Sequence, residues 1–200
     1  MGSTRPLTDF EHVLLGYIAR EPHSGYGLKR RFNATPTSVY KPSPGALYPA
    51  LRRLLTRGLL SVEDTVSAGH RAQRLYQATE AGRAAHLEWL QQPVDPSTVA
   101  GDLGLHLMRF ALMEDYVERP RVIAYLKELA SALDSFIAEL EHYLAIYGKS
   151  ARLHGRLAVE HGIATHRASL DWAREAIATL DTREAIATLD AGDPVAFPGP

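Results

Sequence analysis

SPGALYPALRRLLTRGLL, residues 43–60, decides how this 200-residue chain is read. It has the marks of one helix. Ser43 suits the N-cap, Pro44 the first helical position, and Gly58 followed by Leu59 a C-terminal stop. At about 100° per residue, Leu47, Leu51, Leu54 and Leu55 share one narrow arc, the stripe of a helix packed on a core. The opposite arc carries Gly45, Ala46, Pro49, Arg52, Arg53 and Thr56, with no carboxylate among them. A carboxylate-free face led by the positive end of the helix dipole suits a polyanion. Pro49 removes the bond to the Gly45 carbonyl and is expected to kink or delay the first turn.

The residues after Gly58 sharpen this. Leu60, Val62 and Val66 alternate with polar residues, 67–70 read as a turn, and 71–78 read as a returning strand. A helix feeding a hairpin with His70, Arg71 and Arg74 at or near its tip is the pattern of a winged helix-turn-helix. SGYGLKRRF (24–32), SPGALYPALRRLLTRGLL (43–60) and RLYQATEAGR (74–83) resemble, in order and spacing, the signature blocks of the PadR family of transcriptional regulators across 7–90. The helical C-terminal half is similar to that family too. Ala78 departs from the pattern, standing where the family usually has a larger apolar residue. The resemblance implies a homodimer joined through C-terminal helices, acting as a repressor that leaves DNA on binding a small-molecule effector.

Composition fits a soluble globular chain, with 46% hydrophobic and 22% charged residues. Without cysteine there are no disulfides, zinc fingers or thiol chemistry. No apolar run suggests a signal peptide or membrane span, so the expected location is cytoplasmic, with no membrane partner. The net charge of −1 hides a split: residues 1–90 hold 12 Lys or Arg against 7 Asp or Glu, and residues 91–200 hold 10 against 16. Such asymmetry is expected of a nucleic-acid module joined to a different partner domain.

Along the chain, Thr8 and Glu11 form a capping box for a helix reaching Arg20, with Phe10, Val13, Leu14, Tyr17 and Ile18 on its apolar face. Ser24 caps a second helix over 25–32, with Tyr26, Leu28 and Phe32 inward. A loop follows, with a short extended piece at 38–40. After the hairpin, Thr79 caps a helix over 80–91 carrying Trp89. The domain reading is therefore a DNA-binding domain over 1–91, a linker over 92–101, a helical dimerisation domain over 102–190 and a disordered tail over 191–200.

In the helical half, Leu103, Leu107, Phe110 and Ala111 form a stripe over 102–117. From Pro120 onward, Val122, Leu126, Leu129, Leu133, Phe136, Leu140, Tyr143 and Tyr147 recur at intervals of 4, 3, 4, 3, 4, 3, 4. That heptad repeat is a seam for partner helices, both within the chain and between copies. A last helix over 150–180 adds Leu153, Leu157, Ile163, Leu170, Trp172, Ile177 and Leu180. REAIATLDT (174–182) is followed directly by REAIATLDA (183–191). Nine residues turn a helix by about 900°, so the copies cannot face the same way, and the second is expected to be exposed, frayed or broken at Asp181–Thr182.

The fold class is thus mainly α with a small β-hairpin wing. Lys29, Lys41, Arg52, Arg53, Arg57, Arg71 and Arg74 are candidates for phosphates. Tyr48 either bonds a phosphate or packs on the second helix. Base reading falls to Ser43, Gly45, Ala46, Pro49 and one of Arg52 or Arg53, with His70 and Arg71 in the adjacent minor groove. Dimerisation is assigned to Val122, Leu126, Leu129, Leu133, Phe136, Leu140, Trp172 and Ile177. Trp89 and Trp172 are effector candidates or core. His142, His154, His161 and His166 are spaced by 12, 7 and 5, unlike the i, i+4 pair of helical metal sites, so no metal or cofactor is expected. No constellation of catalytic groups converges, which argues against an enzyme. The alternative to a regulator is a protein-interaction module keeping a winged-helix fold.

Overall fold

In the structure, a computed structural model describing residues 5–34, 39–66 and 72–192 (65–66, 72–73 and 183–192 by backbone only), the capping box is in place. The Thr8 N–H donates to Glu11 Oε2 at 2.8 Å, and the Glu11 N–H donates to Thr8 Oγ1 at 3.3 Å. They start α1 (Asp9–Arg20). This helix is buried on more sides than one stripe allows, because Glu11, Leu15 and Gly16 are inside together with Val13, Leu14, Tyr17 and Ile18. The helix Pro44–Thr56, the strand Ala72–Ala78 and the helix Glu80–Gln91 pack on it.

Next comes a two-residue strand, β1 (His23–Ser24). Ser24 Oγ then accepts the Gly27 N–H at 3.1 Å, at the start of α2 (Gly25–Ala34). Leu28 and Phe32 are fully buried, but Tyr26 is 71% exposed, against expectation. Tyr26 lies about 200° around the helix from Leu28, so a face that buries one must expose the other. No strand forms at Val39–Tyr40; residues 35–38 lie outside those described.

α3 (Pro44–Thr56) runs unbroken through Pro49, with Ser43 Oγ accepting the Ala46 N–H at 3.3 Å. Gly58 takes φ +70°, a conformation costly for any residue with a Cβ. The Gly58 N–H then reaches the Leu55 carbonyl and the Leu59 N–H the Leu54 carbonyl, closing the helix end as a Schellman motif.

β2 (Leu60–Val66) and β3 (Ala72–Ala78) pair antiparallel from Leu60 opposite Ala78 to Val66 opposite Ala72. β1 joins the other edge of β3, giving the order β1-β3-β2. Thr79 opens α4 (Glu80–Gln91) and also ties it to the end of α3, since its Oγ1 donates to the Gly58 carbonyl at 2.8 Å. Ala78 is 4% exposed, packed despite its small size. The result is a winged helix-turn-helix.

The domain boundary differs from the sequence reading. The chain forms two compact units, 1–92 with 104–117, and 93–103 with the residues from 118 onward. α5 (Leu103–Met113) therefore belongs largely to the first unit. Its buried residues are His106, Met108, Arg109, Leu112 and Met113, whereas Leu107 and Ala111 of the expected stripe are exposed. Polar His106 and Arg109 occupy the inward face, which is why hydropathy pointed the helix the wrong way. Arg109 donates to the Leu90 carbonyl at 3.0 Å and to that of Gln92, and lies over the Trp89 ring. The expected linker is structured as well: Val94 and Val99 are buried, flanking a 3-10 turn at Pro96–Thr98.

In the second unit α6 (Arg119–Tyr147) and α7 (Leu153–Gly192) pair lengthwise. Phe136 meets His166 at 4.9 Å, and Asp134 pairs with Arg174 at 3.7 Å, so the two run antiparallel. α7 continues without a break through Asp181–Thr182, where Thr182 Oγ1 donates to the Ala178 carbonyl. The side chains of the second REAIATLDA copy and the tail beyond Gly192 lie outside the described residues. Among those described, no helix is long and apolar enough to cross a membrane.

His86 is buried in the first unit, and His12 lies half-buried close to it. His12 stacks on Trp89 at 5.3 Å, and His86, with no exposure, meets the Tyr116 ring at 5.3 Å. Burial lowers both pKa values to about 4. The unfolded chain takes up these protons near pH 6.5 and the native state only near pH 4. Stability is therefore fully present above pH 6.5 and is lost as the pH falls towards 4. The expected loss is on the order of 3 kcal/mol for His86 and smaller for the more exposed His12, read as a falling urea midpoint. His12→Phe, which keeps a ring against Trp89, should flatten that dependence.

Candidate DNA-contact surface

The surface is set by what α3 buries. Leu47, Ala50, Leu51 and Leu54 have no exposure, while Leu55 is only half-buried and Ala50 takes its place in the stripe. Everything opposite them faces outward: Ser43, Gly45, Ala46, Tyr48, Pro49, Arg52, Arg53 and Thr56 are all exposed. Gly45, Pro49, Arg52 and Thr56 form the outermost line, following the i, i+4, i+7, i+11 spacing.

The two arginines on this helix are not equivalent. Arg53 Nε donates to Glu11 Oε1 at 2.6 Å, and Glu11 is 1% exposed. Burial alone would raise the Glu11 pKa, but the Thr8 N–H and Arg53 outweigh it and hold the carboxyl below its ordinary value. Arg53 is therefore a clamp between α3 and α1. Arg52 makes no side-chain bond to any described residue and stands free at the outer line. Of the pair, it is the base-reading candidate. Arg57, just past the helix, donates to the Arg5 carbonyl at 2.9 Å.

On the other flank the Tyr48 ring packs on α2. A Cβ on Gly25 would lie 2.6 Å from Tyr48 Cε1, so only glycine admits this approach. The phenol remains 47% exposed, so Tyr48 packs on α2 and keeps a free edge. Tyr26, exposed nearby on α2, joins it as a hydroxyl that the apolar reading placed inside. Lys29 is half-buried and Lys41 exposed. Arg74 faces Asp64 across the hairpin at 3.4 Å, with both side chains largely exposed. An exposed pair of this kind holds by only about 0–1 kcal/mol and gives way readily to a phosphate. His70 and Arg71 lie outside the described residues.

The dimerisation residues divide. Val122, Leu126, Leu129 and Leu133 are buried within one chain, the intramolecular side of the expected seam. Phe136, Leu140, Trp172 and Ile177 are half-buried. The apolar residues left open are Tyr143, Ile146 and Tyr147 at the end of α6 and Leu153 and Leu157 at the start of α7, each at least 46% exposed. Trp89 is a core residue: it is 5% exposed and its Nε1 donates to Asp9 Oδ1 at 3.0 Å.

Residues 14–88, which hold the helices and hairpin just described, match the transcriptional regulator PadR-like family. They are a PadR-like domain. Residues 107–181 match a second family, the virulence activator alpha C-terminal domain. The chain is 57% identical to the transcriptional regulator Rv3488 of Mycobacterium tuberculosis over 49 residues, covering 24% of this chain and 45% of that one. It thus spans less than half of that relative's length. The probable transcriptional regulator Rv1176c of the same organism is 21% identical over 86% of this chain and 97% of its own. The negative transcriptional regulator PadR of Bacillus subtilis is 24% identical over 48% of this chain and 53% of its own. The crystal structure of that PadR with operator DNA aligns at a TM-score of 0.43 and 15% identity, over 88% of this chain and 99% of the other.

Within the PadR-like domain, sequence reasoning missed β1, Tyr26 and the second duty of Glu11. The capping box identified Glu11, but its bond to Arg53 spans 42 residues and leaves no local signature. The two arginines should therefore separate on substitution. Arg53→Ala leaves a buried carboxylate short of its partner and should cost about 1–2 kcal/mol in denaturant melts. Arg52→Ala should leave stability within about 0.5 kcal/mol of the parent while weakening duplex binding.

Proposed function

We propose that this protein is a sequence-specific DNA-binding regulator of transcription, a homodimeric repressor that reads a palindromic operator and is released by a small-molecule effector. The observation that carries the reading is the outer line of α3. A helix backed by Leu47, Leu51 and Leu54 presents Gly45, Pro49 and Arg52 to solvent without a carboxylate, inside a PadR-like domain. Small residues let the helix start approach base edges, and arginine to guanine is the commonest specific pairing. Lys29, Lys41, Arg74 and the two tyrosines flank it for phosphates, and Ser43 and Ala46 sit where α3 enters the groove.

Dimerisation is favoured by the open apolar group Tyr143, Ile146, Tyr147, Leu153 and Leu157. One winged helix touches few bases, and two related by a two-fold axis read half-sites about one helical turn apart. Repression follows the name of the Bacillus subtilis relative, and release by an effector follows the family resemblance alone.

The test is selection of bound duplexes from a random pool at several salt concentrations. A palindrome should emerge, with affinity falling steeply as salt rises. A pool that stays flat at every salt concentration contradicts sequence-specific regulation. In sedimentation, the parent should be a dimer at micromolar concentration, and Ile146→Glu with Leu157→Glu should yield monomers that have lost most operator affinity.

A further inference from the structure

Beside the C-terminal half of α3 lies a depression whose composition the outer line of the helix does not explain. Arg5, Glu11, Arg52, Arg53, Thr56 and Arg57 line a cavity of about 270 Å³. Four guanidinium groups share it with one carboxylate. That carboxylate is already well supplied with donors: Glu11 takes the Thr8 N–H at 2.8 Å, the Thr8 hydroxyl at 3.1 Å and Arg53 Nε at 2.6 Å, with Arg5 at 3.5 Å. Thr56 gives its hydroxyl proton to the Arg52 carbonyl at 3.0 Å.

The donors on the other side are in excess. Arg53 is bound to Glu11 through Nε, which leaves its terminal nitrogens. Arg57 uses one nitrogen on the Arg5 carbonyl, and the Arg52 side chain bonds no described residue. Like charges gathered in a concave site repel unless an anion sits between them. Guanidinium forks match the oxygens of phosphate two at a time, which chloride cannot exploit.

We propose that this cavity is a phosphate site, with Arg5, Arg52, Arg53 and Arg57 as its donors and Glu11 as the residue that positions Arg53. The phosphate is either a phosphodiester of the duplex at the edge of the groove or a free phosphate group. Arg52 and Thr56 belong both to the outer line of α3 and to the cavity wall, so the two sources compete for one place. The first source rests on the DNA-binding reading; the second does not.

The experiment uses the full chain, with Arg57→Gln, Arg5→Gln and Arg57→Lys. Arg5 and Arg57 are exposed, so the variants should fold, as checked by melting in chloride alone. One arm titrates inorganic phosphate against chloride at constant ionic strength without DNA and reads Tm. The other measures duplex affinity against salt, with and without phosphate.

If free phosphate is the ligand, phosphate should raise Tm by about 2–6 °C in the parent but not in Arg57→Gln. It should then also weaken duplex binding at fixed ionic strength. If the duplex is the ligand, Tm should not move. Arg57→Gln should then lower the log–log salt slope by about one and weaken all duplexes alike, and Arg57→Lys should restore the slope. Variants with the parent's slope, together with a Tm indifferent to phosphate, overturn the site and leave the DNA-binding reading standing. If the parent binds no duplex at all, that reading falls and the phosphate melt alone decides the cavity.

Discussion

The bond between Glu11 and Arg53 fixes which face of α3 is left open to solvent. A carboxylate 1% exposed is tolerable only if its oxygens are bonded, and here they answer to Thr8 on one side and Arg53 on the other. The same group therefore starts α1 and holds α3 against it. With Leu47, Leu51 and Leu54 seated on the core and Arg53 clamped, α3 has one rotational setting. That setting leaves Gly45, Pro49, Arg52 and Thr56 outermost. The Thr79 hydroxyl on the Gly58 carbonyl then fixes the hairpin and α4 to the far end of the same helix.

Much of this was legible because it is local. Capping residues, the Gly58 stop, the leucine stripe of α3 and the alternation of Leu60, Val62 and Val66 are all decided within a few positions. What escaped depends on distant partners. β1 is two residues long and exists only because β3 returns beside it. Tyr26 looked like core on composition but sits on the wrong side of a short helix. α5 was turned round because its inward positions include His106 and Arg109, the burial of Arg109 being made acceptable by carbonyls at Leu90 and Gln92 and by the Trp89 ring. A hydropathy pattern cannot foresee a buried arginine that finds its partners about 20 residues away.

The heptad seam of α6 shows a different limit. Periodicity revealed a helix partner without saying which chain supplies it. The seam faces α7 as far as Phe136 and Leu140, and the inward residues of α7, Ile163, His166, Leu170 and Ala173, keep the same alternating spacing of three and four. His166 sits there with its ring nitrogens on the Gly162 and Val99 carbonyls, which joins α7 to the segment around the 3-10 turn. The seam loses cover only towards Tyr143 and Tyr147, where α7 begins with exposed Leu153 and Leu157. Apolar surface concentrated at one end of the helix pair is what the proposed dimer would cover.

The central claim is that the outer line of α3 meets duplex DNA, and amide shift mapping of the isotope-labelled protein with a selected duplex tests it most directly. The account predicts the largest shifts at Gly45, Ala46, Arg52 and Thr56, with smaller ones at Lys41, Tyr48 and Arg74, and little change at buried Leu133 or Leu170. Shifts gathered on α6 and α7, with α3 silent at saturating duplex, would contradict it.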